Sequence, residues 1–164
     1  MIAFLKLIRY KNLLMVLLTM VLTKYALIDS LHKNSNLSNL DFSILAISVL
    51  LISAGGYIIN DFFDIEADKI NKPNKVFIGT SFSKRNAWKI YLAFTFLGII
   101  LGVILSFIKN LKINSLYFIT IGFSLYFYSK KIKHTPLLGN ILISIFCGFI
   151  IYLVSSFELI IYNK

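Results

Sequence analysis

Ala54-Gly55-Gly56-Tyr57-Ile58-Ile59-Asn60-Asp61-Phe62-Phe63-Asp64-Ile65-Glu66-Ala67-Asp68-Lys69 joins an apolar run to a burst of carboxylates. Upstream, residues 42–59 contain no charged side chain. A helix that crosses a bilayer needs about 20 mainly apolar residues, with a range of about 17 to 25. A membrane strand would instead alternate polar and apolar over about 10 residues, and Ile44-Leu45-Ala46-Ile47 does not alternate. The stretch predicts a transmembrane helix whose end meets water at the acidic residues.

Working outward, the same signal recurs at residues 13–28, 91–108, 113–128 and 137–157. The run at 113–128 is short, and Tyr126 and Tyr128 suit the bilayer interface as anchors. Composition agrees: of the 164 residues 58% are hydrophobic and 15% charged, against about 25% charged in a soluble domain. The fold class read from these runs is all-α and integral to the membrane, with five transmembrane helices in one membrane domain over 1–164. A single cysteine, Cys147, excludes an internal disulfide framework and a four-cysteine zinc site. The amino-terminal basic and apolar segments lack a small-residue cleavage site, so they read as a retained helix rather than a secretory leader.

The net charge of +10 raises the question of nucleic acid, and the placement of the charges answers it. Lys6, Arg9 and Lys11 precede the first run, six basic residues lie between Lys69 and Lys89, and Lys130, Lys131 and Lys133 follow the fourth run. That sorts 12 of the 17 basic residues to one side, the side expected to be cytoplasmic. Topology accounts for the charge without nucleic acid, and anionic lipid headgroups are the expected partner of those loops. Lys24, at the far end of the first helix, reads as a snorkelling side chain.

Four of the seven acidic residues fall between Asp61 and Asp68. On a continuing helix, at 100° per residue, Asn60, Asp64, Asp68 and Asp61 stand at roughly 0°, 40°, 80° and 100°, and Glu66 points away at roughly 240°. Carboxylates on one face repel one another unless a cation binds them. Oxygen ligands at this density suit Mg²⁺ or Mn²⁺, and Mg²⁺ commonly bridges carboxylates to substrate phosphates. A short Asp-x-x-Asp alone reads better as a solvated helix end. The longer N-D-x-x-D-x-x-x-D spacing, the adjoining span and the preceding Gly55-Gly56, which permits close approach, favour a metal site at Asn60, Asp61, Asp64 and Asp68. The ligand spacing and closing glutamate of an EF-hand are absent.

Asn60 to Asp68, followed by Asn71-Lys72-Pro73, resembles the first aspartate-rich motif of the UbiA superfamily of intramembrane prenyltransferases. Arg9-Tyr10-Lys11-Asn12 is similar to the R-x-x-N that opens that family's first helix. Tyr128-Ser129-Lys130-Lys131-Ile132-Lys133, with Gly139-Asn140, is similar to the segment joining its fourth and fifth helices. The asparagine-rich loop is closest to the geranylgeranylglycerol-phosphate geranylgeranyltransferase branch. The resemblance runs over nearly the whole chain. Val76-Phe77-Ile78-Gly79-Thr80 departs from the prolines and Ser-Gly that many members carry there.

The resemblance implies the amino-terminal part of a bundle of about nine helices. It implies prenyl transfer from a prenyl diphosphate to a lipid or aromatic acceptor, with Mg²⁺ (or Mn²⁺) and basic side chains neutralising the departing diphosphate. Asp64 and Asp68 are the expected catalytic pair. Arg9, Lys69, Lys72, Lys75 and Lys133 are the expected diphosphate contacts, all at the end that carries the 60–89 loop. An apolar cavity would shield the carbocation from water, and Tyr57, Phe62 and Phe123 are candidates to stabilise it through their ring faces. Members carry a second aspartate-rich motif beyond the fifth helix. These 164 residues hold no second acidic cluster, with Glu158 alone and Asp29 and Asp41 at the opposite end. The competing expectation is therefore a truncated or split fragment, not catalytic without a partner that supplies the second motif.

Overall fold

The computed structural model describes residues 2–31, 36–72, 76–135 and 137–159. Helices dominate them: α1 (Ile2–Leu7), α2 (Tyr10–Leu31), α3 (Asn39–Phe63), α4 (Ile65–Asn71), α5 (Lys84–Ile108), α6 (Ser115–Lys130) and α7 (Leu138–Glu158). An isolated bridge between Ile78 and Phe82 is the β feature among the described residues.

Four of these helices, α2, α3, α5 and α7, are long and apolar enough to cross a membrane. The run expected as a fourth crossing does form a helix, but α6 has 16 residues. At 1.5 Å per residue it is about 24 Å long, short of the roughly 30 Å hydrocarbon core.

Local chemistry fixes the helix starts. Ser38 accepts from the Asp41 N–H, and the Asp41 carboxylate accepts from the Ser38 N–H, a reciprocal capping box at α3. Ser83 caps α5 by accepting from the Asn86 N–H. The Lys109 ammonium donates to Asp41 Oδ2 at 3.0 Å, which ties the end of α5 to the start of α3.

α3 is the central helix, buried along most of its length. On α5, Tyr91, Thr95, Gly98, Gly102 and Leu105 form the buried stripe, three and four residues apart. Leu92, Phe96, Ile100 and Ile104 line its exposed face, as lipid contact requires. In lipid there is no hydrophobic drive between helices, so association depends on close packing and hydrogen bonds. At Gly98 a Cβ would lie 2.8 Å from the Ser48 carbonyl oxygen of α3. The Ser48 hydroxyl donates to the Gly98 carbonyl at 2.7 Å in the same buried contact. The expectation that Gly55 and Gly56 admit close neighbours holds: they pack against Thr95 and Leu125.

The far end of the bundle corrects one expectation. Lys24 does not snorkel; its side chain is 1% exposed and pairs with Glu158, itself fully buried. Lys24 lies in a π-helical segment, Leu22–Ile28, within α2, and Glu158 ends α7. Glu158 Oε2 also accepts from the N–H groups of Asn36 (3.0 Å) and Leu37 (3.2 Å). The Lys24 ammonium donates to the Leu37 carbonyl at 3.1 Å. A charge that cannot reach water must be paired and hydrogen-bonded, and the carboxylate read as solitary does this.

Candidate active site

α3 carries the acidic motif to Phe63, and Asp64 then leaves helical geometry with φ −93° and ψ 1°. Hydrogen bonds still cross the break, from Asp64 N–H to Asn60 O and from Asp68 N–H to Asp64 O, so α4 continues as a kinked extension. The kink changes the single arc expected from an uninterrupted helix. Asp61 and Asp68 line one crevice of about 10 Å³ with Val76, Phe77 and Ile78, whereas Asp64 turns toward the loop after α6.

Each of two aspartates meets a cation brought from elsewhere in the chain. Arg9 joins α1 to α2 in the left-handed conformation, φ 51° and ψ 54°, which costs an arginine about 1–3 kcal/mol. Its Nη2 donates to Asp61 Oδ1 at 2.8 Å, and its guanidinium stands 5.2 Å from the centre of the Tyr57 ring. Lys133 lies on the 3₁₀ turn Ile132–His134. Its ammonium donates to Asp64 Oδ1 at 2.6 Å and to Asn60 Oδ1 at 3.3 Å. The Asn60 amide in turn donates to Asp64 Oδ2 at 3.2 Å. The Lys133 side chain is 9% exposed. Gly139 makes the turn fit, since a Cβ there would lie 3.3 Å from Lys133 Cα.

The other lysines go elsewhere. Lys69 donates to Glu66 at 3.1 Å on an exposed surface, and Lys84 lies 3.9 Å from the same carboxylate. Lys72 is exposed at the end of α4. Lys75, like Pro73 of the resembled motif, lies outside the described residues. Lys69 and Lys72 are thus not brought to the aspartates, whereas Arg9 and Lys133 are.

Beside the motif opens a cavity of about 660 Å³ between α2, α3, α6 and α7. Arg9, Asn12, Asn60, Tyr128 and Asn140 give it a polar mouth, and Val49, Ile52, Phe118, Ile150 and Leu153 an apolar interior. Of the three aromatic candidates only Tyr57 lines it. Phe62 packs against Phe63 and Trp88, and Phe123 is 63% exposed. Cys147 also lines the cavity. Sequence reasoning passed over Ser53 and Ser144 in the wall, because lone serines in apolar helices carry no pattern.

The donors at the motif suit a hard divalent cation by type, all of them side-chain oxygens. The crevice shared by Asp61 and Asp68 is close to the 10–15 Å³ or so that one water-sized species occupies. Among the described residues, no three acidic, histidine or cysteine side chains already converge on one point. Asp64 is held by Lys133, apart from the crevice that Asp61 and Asp68 share.

Comparison with known proteins decides the family. The sequence profile described as the UbiA prenyltransferase family matches residues 12–157. The chain belongs to the UbiA prenyltransferase family. With its apolar helices, this makes it a multi-pass integral membrane protein. Among similar UbiA-type relatives is the digeranylgeranylglyceryl phosphate synthase of Ignicoccus hospitalis, 34% identical over 142 residues, which are 87% of this chain and 43% of that protein. The synthase of the same name from Methanosarcina mazei is 30% identical over 88% of this chain and 51% of its own length. That from Sulfurisphaera tokodaii is 39% identical over 62% of this chain and 35% of its own. A solved structure concerned with digeranylgeranylglyceryl phosphate synthase in membranes shares the fold, with a TM-score of 0.80 at 24% identity. The overlap is 96% of this chain and 53% of that one. The chain spans about half the length, or less, of these UbiA relatives.

Proposed function

We propose that this chain forms the diphosphate-binding half of an intramembrane prenyltransferase, which transfers a prenyl group from a prenyl diphosphate to a lipid acceptor. One observation carries the reading: Arg9 and Asn60 stand at the polar mouth of an apolar cavity, and they tie Asp61, Asp64 and Lys133 to it through Arg9–Asp61, Asn60–Asp64 and Lys133–Asn60 hydrogen bonds. The mouth suits a diphosphate and the interior suits a hydrocarbon tail. The lipid acceptor is favoured over an aromatic one because the relatives named above are glyceryl phosphate synthases.

Asn60, Asp61, Asp64 and Asp68 would hold Mg²⁺, whose charge helps a departing diphosphate to leave. Arg9 and Lys133 bind and orient the diphosphate, and Arg9 adds a planar fork suited to phosphate oxygens. Tyr57 offers its ring face at the mouth, and the apolar walls exclude water. We place the motif end on the cytoplasmic side and count α6 as a fifth crossing. The excess of basic residues at that end supports the first reading; the contacts of Asn114 with Ser156 before α6 and of Lys133 with Asp64 after it support the second.

The test is Asp64→Asn in native membranes, assayed for Mg²⁺-dependent transfer from a prenyl diphosphate. Loss of transfer by about 100-fold or more is expected, on the scale of removing one group that stabilises transition-state charge, with normal insertion. Retained activity would remove Asp64 from the metal site. A second reading is favoured by coverage: relatives extend well past the matched half, so activity would need a partner segment with further acidic ligands. Transfer that appears only when such a segment is supplied would identify that case.

A further inference from the structure

Two of the motif carboxylates are already neutralised from within the chain. Arg9 holds Asp61 at 2.8 Å and Lys133 holds Asp64 at 2.6 Å. The backbone sets where each cation starts. The Arg9 backbone is held left-handed at the α1–α2 junction, and the Lys133 turn is backed by Gly139. Lys133 also donates to Asn60, so one ammonium occupies two of the four oxygen-bearing side chains. A divalent ion that seeks Asp64 meets this ammonium at close range, and like charges at one site repel. A diphosphate changes the balance. It carries more negative charge than either carboxylate and matches the guanidinium fork. Arg9 also lines the cavity mouth, where that group would arrive.

Resting on the prenyltransferase reading, we propose that Arg9 and Lys133 are resident counter-ions that exchange partners. When diphosphate binds, both cations turn to it, and Asp61 and Asp64 are released to the metal. The metal therefore binds weakly before diphosphate and tightly after it, and the site does not assemble around metal alone. Coupling of this kind is reciprocal and typically 5–150-fold.

The experiment uses the full chain in detergent with two probes, each alone. Mn²⁺ is titrated by electron paramagnetic resonance. A non-hydrolysable prenyl thiodiphosphate is titrated by calorimetry in chelator. In Lys133→Gln, Mn²⁺ affinity is expected to rise about 10-fold while affinity for the thiodiphosphate falls by a similar factor. A merely structural role would weaken both. Lys133→Arg keeps the charge and should keep metal binding weak, and thermal unfolding of each variant reports whether it folds. Unchanged or weaker Mn²⁺ binding in a folded Lys133→Gln protein overturns the exchange and leaves the prenyltransferase reading standing. A rise in Lys133→Arg equal to that in Lys133→Gln overturns it too. If the wild-type chain binds neither probe, the functional reading fails and the exchange falls with it.

Discussion

Lys24 and Glu158 show what one residue can conceal. Each reads alone as an ordinary charge near a helix end, and nothing local joins positions 134 apart in sequence. Lys24→Met would leave the Glu158 carboxylate buried without its ammonium, a change that costs about 3–5 kcal/mol when a buried pair is broken. Lys24→Met combined with Glu158→Gln removes both charges and keeps an acceptor for the Asn36 and Leu37 N–H groups. The double variant should melt well above the single one in detergent. If the single variant melts no lower than wild type, the pair contributes nothing to stability. The acidic motif was legible because its chemistry is contiguous, and Arg9 and Lys133 because short motifs flank them. Their separate partners, Asp61 and Asp64, were not legible, because the kink at Asp64 arises without a proline or glycine to announce it.

At the level of the element, the contact between α3 and α5 depends on small side chains. Gly98→Leu would push into the Ser48 carbonyl and Ile52. Overpacking typically costs about 1–3 kcal/mol, so the variant should unfold at a lower temperature. Gly148→Leu on α7 has open space around it and should leave the melting temperature unchanged. Equal losses for the two would overturn the packing account, since leucine is the better helix former at both positions. The helices themselves were readable from apolar runs, though their ends were not. α3 begins earlier than its run, because the Ser38–Asp41 capping box extends it into polar sequence. It continues through Asp61, whose carboxylate is held by the Arg9 guanidinium. α6 stays within 16 residues because the 3₁₀ segment Lys112–Asn114 precedes it and Lys131 leaves helical geometry at its end.

For the whole molecule, the placement of charge predicts orientation. With Cys147 replaced by serine, a cysteine at exposed Lys84 should react with an impermeant maleimide only in inverted vesicles, where the cytoplasmic face is outside. Labelling in right-side-out vesicles instead would reverse the topology. The far end carries a different consequence, one of timing. Lys24 leaves the ribosome 134 residues before Glu158. At about 5–20 residues per second, that interval is roughly 7 to 27 s. Throughout it, α2 carries a cation whose carboxylate has not yet been made. The Leu37 carbonyl, only 13 residues later, supplies an interim acceptor. The burial of the Lys24 charge is thus an event of α7, whose arrival brings the carboxylate to it.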